Sequence, residues 1–168
     1  RLPRLRVGLH IVLVEGGPVL SPERVPDLVD ADGEFRTDLM ASGLRFFFGP
    51  RVREQIEAEV RALLMRELRV LRRRETLRVA WRDLAGWAPI EECLGHLSEL
   101  ARLCIRLAAD SAHARLARRF GEPLGPDGRG QRLLVLGMGK LGGGELNFSS
   151  DIDLVFLFPA AGETSGPR

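Results

Sequence analysis

The chain has 168 residues and a formal net charge of +2, with 45% hydrophobic and 29% charged residues. That is enough apolar material for one domain with its own core, or for parts of two. The near-neutral charge argues against a nucleic-acid partner, and no apolar run reaches the roughly 18 residues that span a bilayer, so neither nucleic acid nor membrane is expected as a partner.

The 25 basic residues are all arginine except Lys140, and Asn147 is the only asparagine. Residues 1–50 are punctuated by Gly16-Gly17-Pro18, Ser21-Pro22, Asp32-Gly33 and Gly49-Pro50, which predicts short elements between turns and assigns no chemistry. A short apolar run at residues 9–14 lacks the rest of a secretory signal. Residues 51–85 read as a helix, with Ile56, Val60, Leu64, Leu68 and Leu71 at helical spacing and no internal Pro or Gly before Gly86. Arg72, Arg73 and Arg74 alternate with Glu54, Glu57, Glu59, Glu67, Glu75 and Asp83 along this segment. The mixture predicts a solvated or partner-facing surface rather than a nucleic-acid face. Trp81 and Trp87, near its end, are expected to pack in the core or between helices.

A second helix is expected from Pro89, with Glu91 and Glu92 in its first turn complementing the dipole. Its apolar stripe reads Ile90, Leu94, Leu97, Ala101, Cys104, Ala108 and Ala112. Arg115, Arg118 and Arg119, then Gly121 and Pro123, stop it. The two helices are expected to pack antiparallel across residues 86–89. Cys93 and Cys104 lie about three turns apart on one face, which suits two buried thiols of a reducing, cytoplasmic compartment rather than a disulfide. His10, His96 and His113 have no metal-ligand spacing. Residues 121–131 read as a loop, and residues 132–137 and 151–158 as buried strands.

The chemistry concentrates in residues 133–158. A strand enters a glycine-rich turn, Gly139-Lys140-Leu141-Gly142-Gly143-Gly144. Eleven residues separate Gly139 from Asp151, and Asp151-Ile152-Asp153 then opens an apolar strand. In a strand, residues i and i+2 share a face, so Asp151 and Asp153 would project together as ligands for a hard divalent ion, Mg²⁺ or Mn²⁺. Ile152 would then anchor the strand in the core. Gly139, Lys140, Gly142 and Gly143, with the hydroxyls of Ser149 and Ser150, are the candidate phosphate-binding residues. A short helix through 141–146 would add its N-terminal dipole. No Gly-Lys-Ser/Thr closes the loop as in a Walker A motif, and the second strand follows too soon for a dinucleotide fingerprint.

This spacing resembles the DNA polymerase β-type nucleotidyltransferase superfamily. The wording Gly-Met-Gly-Lys-Leu-Gly-Gly-Gly-Glu-Leu-Asn-Phe-Ser-Ser-Asp-Ile-Asp-Leu at residues 137–154 is similar to the bifunctional glutamine synthetase adenylyltransferase/adenylyl-removing family. Residues 65–69, 72–75 and 80–85 resemble the helical region ahead of that family's first catalytic domain. The resemblance covers about residues 60–160. It implies an α+β chain: an unassigned segment 1–50, a helical region 51–121, and in 132–168 the first part of a polymerase β-type mixed sheet.

The resemblance also implies removal of AMP from a tyrosine of glutamine synthetase by phosphorolysis, releasing ADP, within an enzyme whose other catalytic domain adds AMP from ATP. Met138 and Asn147-Phe148 favour the removing copy. Asp151 and Asp153 would be its catalytic metal ligands, glutamine synthetase its substrate and a PII-type protein its regulator. The alternatives are the adenylylating copy, another protein-modifying nucleotidyltransferase, or a catalytically idle scaffolding module. Superfamily members take a third carboxylate from a later strand. After Asp153 the only acidic residue is Glu163, in a Gly-rich tail, so a chain cut short within the catalytic domain, weak alone in binding and catalysis, is expected.

Overall fold

The computed structural model describes residues 16–38 and 49–166. His10 and the apolar run at 9–14 lie outside the described residues. Among those described, two compact units divide between Arg69 and Val70. Helix α1 (Pro50–Leu84) begins at the Gly49-Pro50 break and runs through the division. Proline suits the first helical position because its missing N–H would have had no partner there.

In the first unit, residues 16–38 fold against α1 with one short 3-10 turn, Pro22–Arg24. The chain reverses at Asp30–Glu34. Asp30 Oδ1 accepts the N–H groups of Asp32 (2.9 Å) and Glu34 (3.2 Å), and Gly33 takes a left-handed φ of 80°, the conformation glycine adopts without a Cβ clash. Val25, Leu28, Val29, Phe35 and Val52 form the core, with Leu20 and Ile56 packed on it. The predicted stripe of α1 is half-buried. The fully buried polar positions facing this unit are Gln55 and Glu59. Glu59 was expected in a solvated row of charges; instead its two carboxylate oxygens accept the N–H groups of Val19 and Leu20. Gln55 exchanges a bond pair with Asp27, accepting its N–H at 2.9 Å and donating to Oδ2 at 2.6 Å. Residues 16–24 form no strand, so their backbone donors need side-chain acceptors.

In the second unit, α1 ends as expected: Gly86 has φ 66° and Trp87 N–H returns to Arg82 O at 2.8 Å. Helix α2 (Ile90–Phe120) follows, capped by Pro89 and closed by Gly121, with Arg118 and Arg119 in its last turn. The helices run antiparallel. Arg82 pairs with Glu92 at 2.8 Å, and Val79 packs with Cys93 and Leu97. Cys93 is buried and Cys104 half-buried, both free thiols. Trp81 (62% exposed) and Trp87 (68%) are not core residues; helical spacing places a side chain on a face, but nothing in this unit covers that face.

After α2 the chain forms β1 (Pro123–Leu124), β2 (Leu134–Gly137), helix α3 (Gly139–Gly143), β3 (Leu154–Leu157) and β4 (Glu163–Thr164). Two antiparallel pairs result, β1 with β4 and β2 with β3. The segment read as a loop and the Gly-rich tail thus pair with each other, Leu124 opposite Glu163. The strands read as buried are not: Leu134, Leu136, Phe156 and Phe158 are 47–67% exposed or nearly so, and Ile152 is exposed as well. Each ribbon has two strands, so each apolar strand is an edge strand covered on part of one face only.

Candidate functional site

The β2–β3 register pairs Gly137 with Leu154. One step further on, Met138 N–H donates to Asp153 O at 2.9 Å. This bond brings the entry of the glycine turn against the acidic doublet. Asp151, Ile152 and Asp153 precede β3 rather than belonging to it. The argument that strand alternation puts both carboxylates on one face therefore does not apply. Asp153 is fixed by the end of the ladder, while Asp151 is held by the turn before it. Both side chains are exposed.

That turn is organised by Asn147. Its Oδ1 accepts the Ser150 hydroxyl, and the Ser149 hydroxyl at 3.4 Å. Ser150 N–H returns to Asn147 O at 3.3 Å. The only asparagine in the chain thus sits at the start of a backbone-closed turn and gathers both serine hydroxyls on its side-chain oxygen. Both candidate phosphate-binding hydroxyls are directed to it, Ser149 by a weak bond.

The glycine segment is a single helical turn, Gly139–Gly143, starting two residues earlier than expected and too short to carry a useful dipole. Gly142 has a packing reason. A Cβ on Gly142 would stand 2.6 Å from Gly137 O, so the turn closes tightly on β2 only without a side chain. Gly144 ends the turn in the left-handed region, φ 76°. Gly139 also has positive φ, 54°, and Gly143 meets only the Glu145 side chain at ordinary contact. Lys140 is exposed, and no ion pair of its ammonium occurs among the described residues.

Two cavities flank this segment. One of about 440 Å³ is lined by Gly137, Leu141, Gly142, Arg102 and Arg106. Another of about 290 Å³ is lined by Arg72, Thr76, Cys104, Asn147, Ser150 and Asp151. No group of three or more His, Cys, Asp or Glu that could hold a metal ion occurs among the described residues. Asp151 and Asp153 offer oxygen donors only, the type Mg²⁺ prefers when water completes its sphere.

Two residues that the sequence did not single out bind the segment directly. The Ser98 hydroxyl accepts Leu146 N–H at 3.0 Å and donates to Leu94 O at 2.9 Å. Arg102 donates to Leu141 O at 3.1 Å. They are one helical turn apart on α2, a spacing the sequence displays, but their partners lie 39 and 48 residues downstream. His113 and His96 stay outside the site: His113 Nε2 is 3.0 Å from Glu122 Oε2, and His96 Nδ1 is 3.9 Å from Glu92 Oε1.

The sequence model described as glutamate-ammonia ligase adenylyltransferase matches residues 50–168. A second, described as YdjC-like protein, matches residues 1–70. A protein named bifunctional glutamine synthetase adenylyltransferase/adenylyl-removing enzyme, from Thioalkalivibrio sulfidiphilus, is 58% identical over 111 residues, 66% of this chain and 11% of that protein. One of the same name from Nitrosococcus oceani is 50% identical over 106 residues, 62% of this chain and 11% of that protein. The chain thus spans about a tenth of the length of these relatives.

Proposed function

The chain belongs to the glutamate-ammonia ligase adenylyltransferase family through residues 50–168, and we propose on that basis that these residues contribute to metal-dependent nucleotidyl transfer on glutamine synthetase, in the adenylyl-removing direction. The observation that carries the reading is the Met138–Asp153 backbone bond, which brings glycine turn and acidic doublet together inside the matched segment. The fold we propose for it is the polymerase β-type nucleotidyltransferase sheet, of which β2 and β3 form part.

In the proposed reaction an oxygen of inorganic phosphate attacks the phosphorus of the AMP–tyrosine ester. The bond from phosphorus to the tyrosine oxygen breaks, that oxygen takes a proton, and ADP leaves. Asp151 and Asp153 would hold Mg²⁺ or Mn²⁺, which supplies charge neutralisation at the reacting phosphate. Lys140 places an exposed ammonium beside the turn, where it can pair with a phosphate oxygen. Gly139 and Gly143 keep the backbone open to the substrate, and Gly142 lets the turn that carries them close on β2. Ser149, loosely held by Asn147, can turn its hydroxyl to a phosphate, and Ser150 holds the turn. ATP or ADP, phosphate, glutamine synthetase and a PII-type regulator complete the proposal.

The alternative reading is a catalytically idle scaffolding module, which a third carboxylate missing from the full-length protein would support. The test places this segment in a chain of the relatives' full length. That protein is incubated with AMP-modified glutamine synthetase, Mg²⁺ and phosphate, and ADP is measured. Phosphate-dependent ADP release that is lost in Asp151→Asn, Asp153→Asn is expected. AMP transfer from ATP onto unmodified glutamine synthetase, without ADP release, would assign the segment to the adenylylating copy. Neither activity from a folded protein would favour the scaffold.

A further inference from the structure

We propose that the outward face of α1 between Val70 and Leu84 docks an acidic amphipathic helix of a partner protein. Val70, Leu77, Trp81 and Leu84 are 40%, 69%, 62% and 85% exposed. At 3.6 residues per turn these four positions fall on one stripe, spanning only about 60° of the helix circumference. Val79, on the opposite side of the helix, is 2% exposed and packs with Cys93 and Leu97 of α2. This half of α1 thus has two apolar faces, and the unit covers one of them. Single exposed hydrophobics are ordinary on a protein surface, but a continuous stripe that includes a tryptophan marks a binding surface.

The charge around the stripe decides what fits it. Arg74 and Arg78 border it on one side and Arg73 on the other, all three exposed. Arg78 pairs with Glu75 at 2.7 Å. Arg73 and Arg74 have no ion pair among the described residues. The acidic residues of the stretch, Glu75 and Asp83, fall on the side of Val79 and are half-buried. The stripe and its borders therefore present apolar and cationic groups only.

Val70, Leu77 and Leu84 repeat every seven residues, the spacing along which two packed helices stay in register. A helix lying in a bilayer surface needs a broader apolar arc, roughly 100° or more. A second copy of this face would set arginines against arginines, and like charges beside a seam select against pairing. Glutamate or aspartate bordering the apolar seam of an incoming helix would instead meet Arg73, Arg74 and Arg78. A narrow apolar centre inside a charged border is the anatomy of an interface whose partner exchanges, whereas permanently covered faces are more uniformly apolar. The α1 residues that share a cavity with Asp151 are Arg72 and Thr76, which point away from the stripe. A helix docked on Leu77 and Trp81 leaves that cavity open.

The test uses the 168-residue chain, in which Trp81 and Trp87 are the two tryptophans, with Trp87→Phe isolating the emission of Trp81. Four-heptad peptides carry leucine at the seam positions and either glutamate or lysine at the bordering ones. The glutamate peptide is expected to shift Trp81 emission to the blue and to bind about tenfold more tightly than the lysine peptide, with the difference shrinking at high salt. Arg73→Glu, Arg74→Glu is expected to reverse the order of the two peptides, and Leu77→Lys to abolish binding of both. These side chains are exposed, so an unchanged unfolding midpoint shows that the variants fold. Equal binding of the two peptides, an order unaltered in the double variant, or binding of neither overturns the proposal. So does dimerisation of the chain by sedimentation, or a Trp81 shift on vesicles of phosphatidylglycerol and phosphatidylcholine, which would give the face to a second copy or to a membrane. Trp81 already shielded in a chain of the relatives' full length, with no response to the glutamate peptide, would give it to the same polypeptide and overturn the partner.

Discussion

Two segments without regular pairing, one in each unit, are tied to a helix by the same device with different chemistry. In the first unit the buried carboxylate of Glu59 accepts two consecutive N–H groups, of Val19 and Leu20. In the second the buried hydroxyl of Ser98 accepts one N–H and passes a bond on to its own helix. A carboxylate has acceptor capacity only, so Glu59 can hold a pair of donors but carries a buried charge that depends on both. A hydroxyl is neutral and satisfied by one bond each way. The stronger strap supports a segment in which the sequence displays no chemistry, and the milder one supports the loop between Lys140 and Asp151.

The largest effect expected anywhere in the chain is chemical. Asp151→Asn, Asp153→Asn should cut ADP release by a full-length enzyme on the order of a thousandfold. On the proposed reading the doublet holds a metal ion whose charge neutralisation is worth several kcal/mol, and about 1.4 kcal/mol is tenfold. Thermal unfolding should barely change, since both side chains are exposed; a large drop in midpoint would show that these carboxylates act structurally.

Next in size is the packing of the second unit. Leu141→Ala removes a side chain 2% exposed from the cluster around Cys93 and Leu97, and should cost about 2–5 kcal/mol. Denaturant unfolding would read this, with amide exchange at 134–157 accelerated.

In the first unit, Glu59→Ala leaves two backbone donors without their acceptor and should cost about 2–4 kcal/mol. Its amide-exchange footprint should fall on residues 16–38. Equal destabilisation by Glu59→Ala and Ser98→Ala would abolish the contrast between the two straps.

The smallest effect is a pH dependence. Burial pushes the Cys93 thiol above its ordinary value, with Asp83 and Glu92 adding and Arg82 opposing. Burial does the same to Cys104, partly offset by Arg72. The folded chain thus holds these protons more tightly than the unfolded one. The resulting stability is complete below the unfolded thiol value, about 8.5, and is lost as pH rises through it toward the folded value. The fall of the unfolding midpoint above that pH should be shallower in Cys93→Ala; identical slopes would remove the thiol from the account.

The sequence alone determined what depends on neighbours a few residues away. Pro50, Gly86, Pro89 and Gly121 mark where two long helices start and stop, because caps and φ preferences act within one turn. The glycine turn between residues 137 and 144 was legible for the same reason, whereas the turn that Asn147 organises was not read from the sequence. Tertiary structure decided which faces are covered. Helical spacing put Trp81 and Glu59 on faces, but only the fold left the first in solvent and buried the second under Val19 and Leu20. It also decided that β3 begins at Leu154 rather than Asp151, because pairing with β2 starts at Gly137. Finally, it brought Ser98 to Leu146 across 48 residues of chain and Arg102 to Leu141 across 39. A hydroxyl or a guanidinium on a helix has no local preference for a distant carbonyl or N–H, and only the packing of Leu141 and Leu146 on that helix brings the two within reach.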